Sequence, residues 1–481
     1  MKKRSFVYFF LIASLFLSCF EDNDDNIART SDINDFIWRG MNAAYLYKDE
    51  ITNLDNDRFG NMEEYFSFLN NYNSPETLFE SLIHERNLID KYSLIIDDYI
   101  ELQQYLSGNI LSNGIEFGLS FIPSSNYEIF GYVRYVHSGS VAEAKGVKRG
   151  DIFISVNNTI LNIDNYSNLL SQNSYEMGFA IYLDNNTNDI SDDSILSNGV
   201  NINLSKVPLV KNPVYNYSII NEGGKKIGYL MYNQFLSNYD SYVESIFSEF
   251  KSNLIDEIII DLRYNPGGSV NSALLISSLL TGQFTNEIFS YEEWNSEIQN
   301  YWNNNNPEYL VNRFLSLENS LKMNKIYVLT SRSTASASEL LINCLSPYIN
   351  VVQIGTSTYG KYQASITLYD SNNFSNQNTN PAHNYAIQPL VMKTLNVNGV
   401  TDYYNGLEPD YIFEERPYNM GIIGELNEPM LNYTINLINQ RSVSFEQSEL
   451  FGIIGDNFKF EYLNKEMYID KSFLNINEIS F

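Results

Sequence analysis

Ile258-Ile259-Ile260-Asp261-Leu262 is apolar enough to read as a strand covered on both faces. Such a strand belongs to a parallel-type sheet, whose faces are clothed by the helices of its crossover connections. Gly267 and Gly268 then turn the chain sharply into an apolar helical stretch, Val270 to Leu280. The unit recurs further on. Lys325 to Thr330 is a β-branched and aromatic run, Ser331-Arg332-Ser333-Thr334 is turn chemistry, and Ala335-Ser336-Ala337-Ser338-Glu339 opens an apolar helix that reaches Leu345. Two such units place both turns at the same strand-end edge of one α/β sheet. Val351-Val352-Gln353-Ile354 follows as a further buried strand, and the loop leaving it, Gly355 to Gly360, delivers a single lysine, Lys361.

Two readings of Ser336 stand. Ser336-x-x-Glu339 has the spacing of a capping box, in which hydroxyl and carboxylate satisfy the start of the helix. A serine at a helix start also lies beside unpaired backbone N–H groups, which can stabilise an oxyanion formed on a carbonyl that the serine attacks. A serine nucleophile needs a base. The three histidines, His84, His137 and His383, have no such turn around them. Lysine can serve where burial lowers its pKa, because at the ordinary value of about 10.4 only about one side chain in 2,500 is neutral at pH 7.

These motifs together resemble the C-terminal processing peptidases, the S41 family of serine peptidases. That family carries Ser/Thr-Ala-Ser-Ala-Ser-Glu followed by Phe/Tyr-Gly-Lys, which stand here as Thr334 to Glu339 and Tyr359-Gly360-Lys361. The resemblance implies Ser336 as nucleophile and Lys361, 25 residues later, as general base. Asp261-Leu262-Arg263-Tyr264-Asn265-Pro266-Gly267-Gly268 matches the family's Asp-Leu-Arg-x-Asn-x-Gly-Gly turn. By the same resemblance, an oxyanion would be held by the N–H of Gly267 or Gly268 together with that of Ala337. Asp261 and Arg263 read equally as an ion pair bracing the turn and as part of substrate binding. There is one departure. The family often has a glutamine four residues after the lysine, where this chain has Ser365, while Gln363 stands two residues after. Either Gln363 orients Lys361 from a rearranged loop, or the third member is absent. The implied chemistry needs no metal and no cofactor.

A chain of 481 residues with 44% hydrophobic content points to about three units with sizeable cores. Acidic residues outnumber basic ones by 58 to 30, and the net charge of −28 argues against nucleic acid as a partner. Met1-Lys2-Lys3-Arg4 followed by Phe6 to Leu17 reads as a secretory signal, too short to span a membrane. Leu15-Phe16-Leu17-Ser18-Cys19 resembles a bacterial lipobox, which implies a signal peptide over residues 1–18 and lipid on Cys19. The blander alternative is an ordinary signal with an incidental cysteine. Residues 19–31, with Glu21-Asp22-Asn23-Asp24-Asp25, then read as an acidic, solvated tether, similar to the signal that exports some lipoproteins to the cell surface. The expected location is the cell envelope, lipid-anchored at the periplasmic or outer face of the outer membrane. With Cys19 acylated, Cys344 has no partner for a disulfide and is expected in the core.

Residues 32–110 read as a helical N-terminal cap, from the spacing of Phe36, Trp38, Met41 and Tyr45 and of Leu78, Phe79, Leu82 and Ile83. Residues 111–206 are β-rich. Ile115 to Phe121 resembles the Gly-Leu-Gly-Phe loop of PDZ domains, and Ser140 to Asn157 resembles their Ser-x-Ala-x-x-Ala-Gly stretch. The resemblance implies an extended peptide added beside Gly118, Leu119, Ser120 and Phe121; a degenerate unit that only braces the core is the alternative. Asn185 to Asn198 reads as a mobile polar loop. Residues 207–415 form the expected α/β peptidase core, similar to the ClpP/crotonase type, within which 281–321 reads as a lid or a surface insertion. Residues 416–481 are a C-terminal extension with a helix around Met430 to Ile438.

The function drawn from these residues is that of a multi-domain α/β, lipid-anchored serine endopeptidase. Its Ser/Lys dyad would act on proteins or peptides presented by their C-terminal ends. One rival is a catalytically silent PDZ lipoprotein that scaffolds partners, which would need the Gly118 region but neither Ser336 nor Lys361. Another is a glycan-binding surface lipoprotein, suggested by the anchor and the aromatic content alone.

Overall fold

A computed structural model describes residues 30–187, 189–441, 453–456 and 467–469. The signal segment, Cys19 and nearly all of the acidic stretch lie outside the described residues; Thr30 and Ser31, expected in the tether, already belong to the first helix, Thr30–Ala44.

The central sheet has six strands in the order Val214–Glu222, Lys225–Tyr232, Glu257–Asp261, Lys325–Thr330, Asn350–Gly355 and Tyr411–Ile412. The first pair is antiparallel and the rest are parallel. Helices Asp240–Ser252, Val270–Leu280 and Ala337–Leu345 form the crossovers. The apolar runs are continuous because each face has its own cover. Ile258, Ile260, Ile326 and Val328 join a core that includes those helices and Phe36, Met41 and Phe79 of the N-terminal region. Ile259, Tyr327 and Leu329 point the other way, onto Leu431 and Ile435 of helix Pro429–Ile438. The start of the C-terminal extension therefore closes the second face of the sheet.

Residues 281–321 are neither lid nor surface insertion. They supply strands Ile288–Trp294 and Val311–Arg313 to a second six-stranded sheet, beside Leu390–Leu395 and Gln363–Ser365. Their polarity disguised them. Ser290, Glu292 and Asn312 are buried and satisfy one another: Asn312 Nδ2 donates to Ser290 Oγ at 3.1 Å and to Glu292 Oε1 at 2.9 Å.

In the β-rich unit, strands Ile115–Phe121, Ile129–Val136, Ile152–Val156, Ser174–Leu183 and Ser194–Ser205 form one sheet. Gly118 to Phe121 thus lie within a regular strand and not in a loop. The expected polar loop shortens likewise, because Ser194–Ser205 pairs along its length with Ser174–Leu183 while most of its side chains face solvent. The N-terminal helices Thr30–Ala44, Met62–Asn70, Pro75–Ser81 and Tyr99–Leu106 are tied to the rest through strand Leu94–Ile96, which pairs with Ala386–Gln388.

Arg263 settles its own ambiguity. Its side chain is fully buried, and the guanidinium pairs with Asp261 at 2.8 Å, Glu428 at 2.8 Å and Glu415 at 2.9 Å. A guanidinium whose donors are taken up by three carboxylates braces the turn and has none left for a substrate. Burial alone would raise the Glu415 pKa, but Arg149 and Arg263 outweigh it and hold the carboxyl down to about 2. Removing the cation strands Asp261 in a dry interior and leaves Glu415 and Glu428 to Arg149 alone, so Arg263→Met should destabilise the fold by about 3 kcal/mol or more, measured as a lower urea midpoint.

Candidate active site

Strands Glu257–Asp261 and Lys325–Thr330 are parallel neighbours, so the turns that follow them leave at one edge. The turns are bonded to each other. Thr334 Oγ1 donates to the Leu262 carbonyl at 2.8 Å, Ala335 N to the Asn265 carbonyl at 3.0 Å, and Ser338 Oγ to that same carbonyl at 3.2 Å. The Ser331 hydroxyl donates to the Arg263 carbonyl.

Ser336 precedes helix Ala337–Leu345 with φ +65° and ψ −115°, a backbone state that side chains other than glycine rarely adopt. It is fully buried, and among the described residues its Oγ has no hydrogen-bond partner. Its amide donates to Glu339 Oε2 at 2.7 Å. Only half of a capping box is therefore made. The carboxylate closes the helix start, and the hydroxyl is left out of the cap.

Glu339 does more than cap. Oε2 also accepts from Lys361 N at 2.9 Å, while Oε1 accepts from Gly360 N at 2.6 Å and from Thr358 Oγ1 at 2.5 Å. One oxygen shared by the Ser336 and Lys361 amides holds those two nitrogens closer than the sum of the two bonds. Burial pushes the Glu339 pKa up to about 7 against the opposing pull of Thr358 and the three amides. Gly360, at φ +102°, lies so close to Tyr404 that a Cβ would come 2.4 Å from its carbonyl oxygen. The lysine loop can be drawn this far in only with glycine before Lys361.

Lys361 is fully buried, and its Nζ lies 4.6 Å from the centre of the Tyr92 ring. On the oxyanion side the two glycines part company. The Gly267 amide donates to Asn265 Oδ1 at 2.9 Å, which removes it as an oxyanion donor. The Gly267 carbonyl and the Ser269 amide bond to Phe235, so the alternation of an extended chain turns the Gly268 amide to the opposite edge. Ala337 opens the helix, where an N–H has no intrahelical acceptor.

This is the geometry against which known proteins compare. The model described as Peptidase family S41 matches residues 226–411, and that described as Peptidase S41 N-terminal domain matches residues 32–94. The chain belongs to peptidase family S41. A carboxyl-terminal-processing protease of Picosynechococcus is 26% identical over 160 residues, 33% of this chain and 35% of that protein. Against it, the match spans about a third of the relative's length. One from Synechocystis is 23% identical over 337 residues, 67% of this chain and 69% of that protein. The crystal structure of a putative S41 protease from Bacteroides fragilis has the same fold, with a TM-score of 0.63 at 23% identity over 84% of this chain and 97% of the other.

The structure brings the Ser336 turn, the Lys361 loop, Gly268 and Ala337 to one edge, as the motifs led us to expect, and adds residues of the N-terminal region that the motifs do not include. Gln363 is buried in strand Gln363–Ser365; its Nε2 donates to the Tyr47 hydroxyl at 3.2 Å, and its Oε1 has no partner among the described residues. Tyr47 and Tyr92 carry no local signal, because both reach the site only through tertiary packing. Of the histidines, His137 lies 2.8 Å from Glu116 and His383 3.0 Å from Asp370, while His84 packs against Tyr47. Cys344 is buried in the core.

Glu339→Gln puts an amide NH₂ where two donors already point. The variant should lose about 2 kcal/mol of stability. Folding raises this carboxyl from 4.5 to about 7, so its stabilising contribution is complete below about 4.5 and declines as pH rises through 7. Urea midpoints should accordingly separate native and variant more widely at about pH 4.5 than at about pH 8. An equal separation at both would contradict this account of Glu339.

Proposed function

We propose that this S41 chain is a serine endopeptidase of the C-terminal processing type, with Ser336 as nucleophile and Lys361 as general base. The observation that carries the reading is the shared carboxylate. Glu339 draws the Ser336 and Lys361 main chains onto one oxygen, while the Ser336 backbone is strained and its hydroxyl is buried and left out of the cap. A structural cap needs none of this strain, and a silent scaffold needs neither residue.

As Ser336 Oγ attacks the scissile carbonyl carbon, its proton passes to the neutral Nζ of Lys361. The carbonyl oxygen becomes an oxyanion, held by the amides of Ala337 and Gly268. Collapse breaks the C–N bond, and the lysine returns its proton to the leaving amine. A water then loses a proton to Lys361 and attacks the acyl-enzyme, and Ser336 recovers its proton as the new carboxylate leaves. Gln363, buried and bonded through Nε2 to Tyr47, has its Oε1 unsatisfied among the described residues and is the candidate to orient Lys361.

Substrates are polypeptides that add as a strand to the β-rich unit along Gly118, Leu119, Ser120 and Phe121, in the manner of a PDZ domain presenting a C-terminal end. The lipobox-like segment ending at Cys19 supports an envelope lipoprotein with an acidic leash. The carboxyl-terminal-processing proteases that the chain resembles support the substrate class.

The chain lacking residues 1–19 should cleave casein on prolonged incubation. Ser336→Ala and Lys361→Ala should each lower the rate by on the order of a thousandfold or more, with urea midpoints close to native. Equal cleavage by native and both variants would sink the assignment.

A further inference from the structure

The edge on which a substrate strand would add is already taken. Residues Ile453–Asp456 pair antiparallel with Ile115–Phe121, with Asp456 opposite Gly118, Gly455 opposite Leu119 and Ile453 opposite Ser120. The contact is more than backbone. Ile454 packs against the apolar core of the β-rich unit. The Asp456 carboxylate accepts from Arg134 Nη1 at 3.2 Å and from Ser333 Oγ at 2.8 Å, and Ser333 is three residues before the candidate nucleophile. The short strand therefore joins the β-rich unit to the serine turn itself.

A second observation comes from the other end of the same segment. Met467–Tyr468 lies as a strand between Gly268–Ser269 and Gln363–Ser365, parallel to both. This is the edge to which the Gly268 amide turns, so the segment fills the strand position between the oxyanion glycine and the strand after Lys361. Ser365 Oγ donates to the Met467 carbonyl at 3.2 Å, and Ile469 N to the Ser365 carbonyl at 3.1 Å. With both places filled, Ser336 and Lys361 have no exposed surface.

We propose that residues 453–456 are a built-in, substrate-like occupant of the Gly118–Ser120 edge, which keeps the S41 site closed until an extended polypeptide displaces them. The inference rests on the peptidase reading for its effect on rate, but the occupancy is testable without it. The incoming ligand is an extended segment with an apolar side chain two positions before a carboxylate, the chemistry that Ile454 and Asp456 present. Such a strand exchanges one set of ladder hydrogen bonds for another, so displacement depends on the side-chain contacts and on ligand concentration.

Two variants unseat the segment through different contacts. Asp456→Ala removes the bonds to Arg134 and Ser333, and Ile454→Asp puts a charge against the apolar core. Both should raise casein cleavage by the chain lacking residues 1–19 by about tenfold or more, and adding Ser336→Ala should abolish the gain. Binding of a fluorescent peptide of residues 450–457, measured by anisotropy in the Ser336→Ala background, gives the independent readout. It should bind the unseated variants at least about tenfold more tightly than the parent. Equal binding to all three would overturn the occupancy, and activation by Asp456→Ala alone would overturn it in favour of a local effect on Ser333. Tighter binding with no cleavage in any chain would instead overturn the peptidase reading and leave the occupancy standing.

Discussion

One buried carboxylate organises the reactive edge of this molecule. Glu339 accepts four hydrogen bonds, three from amides, and the amides belong to two segments, at Ser336 and at Gly360–Lys361, that lie up to 25 residues apart in the chain. Neither segment would hold its shape alone. Ser336 has a backbone state that costs of order 1–3 kcal/mol for a residue with a side chain, and the lysine loop closes on itself only through Gly360. Burying the carboxylate is costly, as its raised pKa shows, and the four donors offset that cost only while both segments stay in place. Strain, burial and hydrogen bonding therefore form one cooperative unit, in which disturbing any one member loosens the others.

The sheet supplies the frame on which that unit sits. Because Glu257–Asp261 and Lys325–Thr330 are parallel neighbours, their turns emerge side by side, and the bonds from Thr334 and Ala335 to Leu262 and Asn265 fix their spacing. Behind the turn, Arg263 gathers Asp261, Glu415 and Glu428 from three separate parts of the sequence. This strand-end edge thus depends on residues as far away as the start of helix Pro429–Ile438.

Sequence patterning revealed the parts of this arrangement that are local. Continuous apolar runs marked the parallel strands, since a strand covered on both faces leaves no polar alternation. The Ser336 turn, the Lys361 loop and the glycine turn were legible from short local motifs, and the structure brings all three to one edge. What escaped were features decided by partners distant in sequence. Strand Ile288–Trp294 looked polar because Ser290 and Glu292 meet Asn312 inside the protein, and Ser194–Ser205 looked like a loop because only its backbone is engaged on most of its length. Gly267 and Gly268 are indistinguishable in sequence, yet Asn265 takes the amide of one and leaves the other directed outward. Tyr92, Tyr47 and Asp456 reach the site from far along the chain, and nothing around them foretells it.

A serine–lysine pair faces a conflict that helps to explain the rest of the molecule. Lysine becomes a useful base only where water is excluded, because hydration holds it in the charged form. Ser336 likewise stays unpaired only where no water can bond to it. On the proposed reading, the dry surroundings that would make both residues competent also bar a polypeptide from reaching them. A chain of this design therefore has to let a protein strand, and not solvent, take the place of whatever closes the site. Strand pairing suits that exchange, because every extended segment offers the same backbone ladder and the side chains decide which one stays. Ile453–Asp456 and Met467–Tyr468 already lie as strands at both positions, so under the proposed displacement the polypeptide that closes this site and the one that would open it compete by the same chemistry.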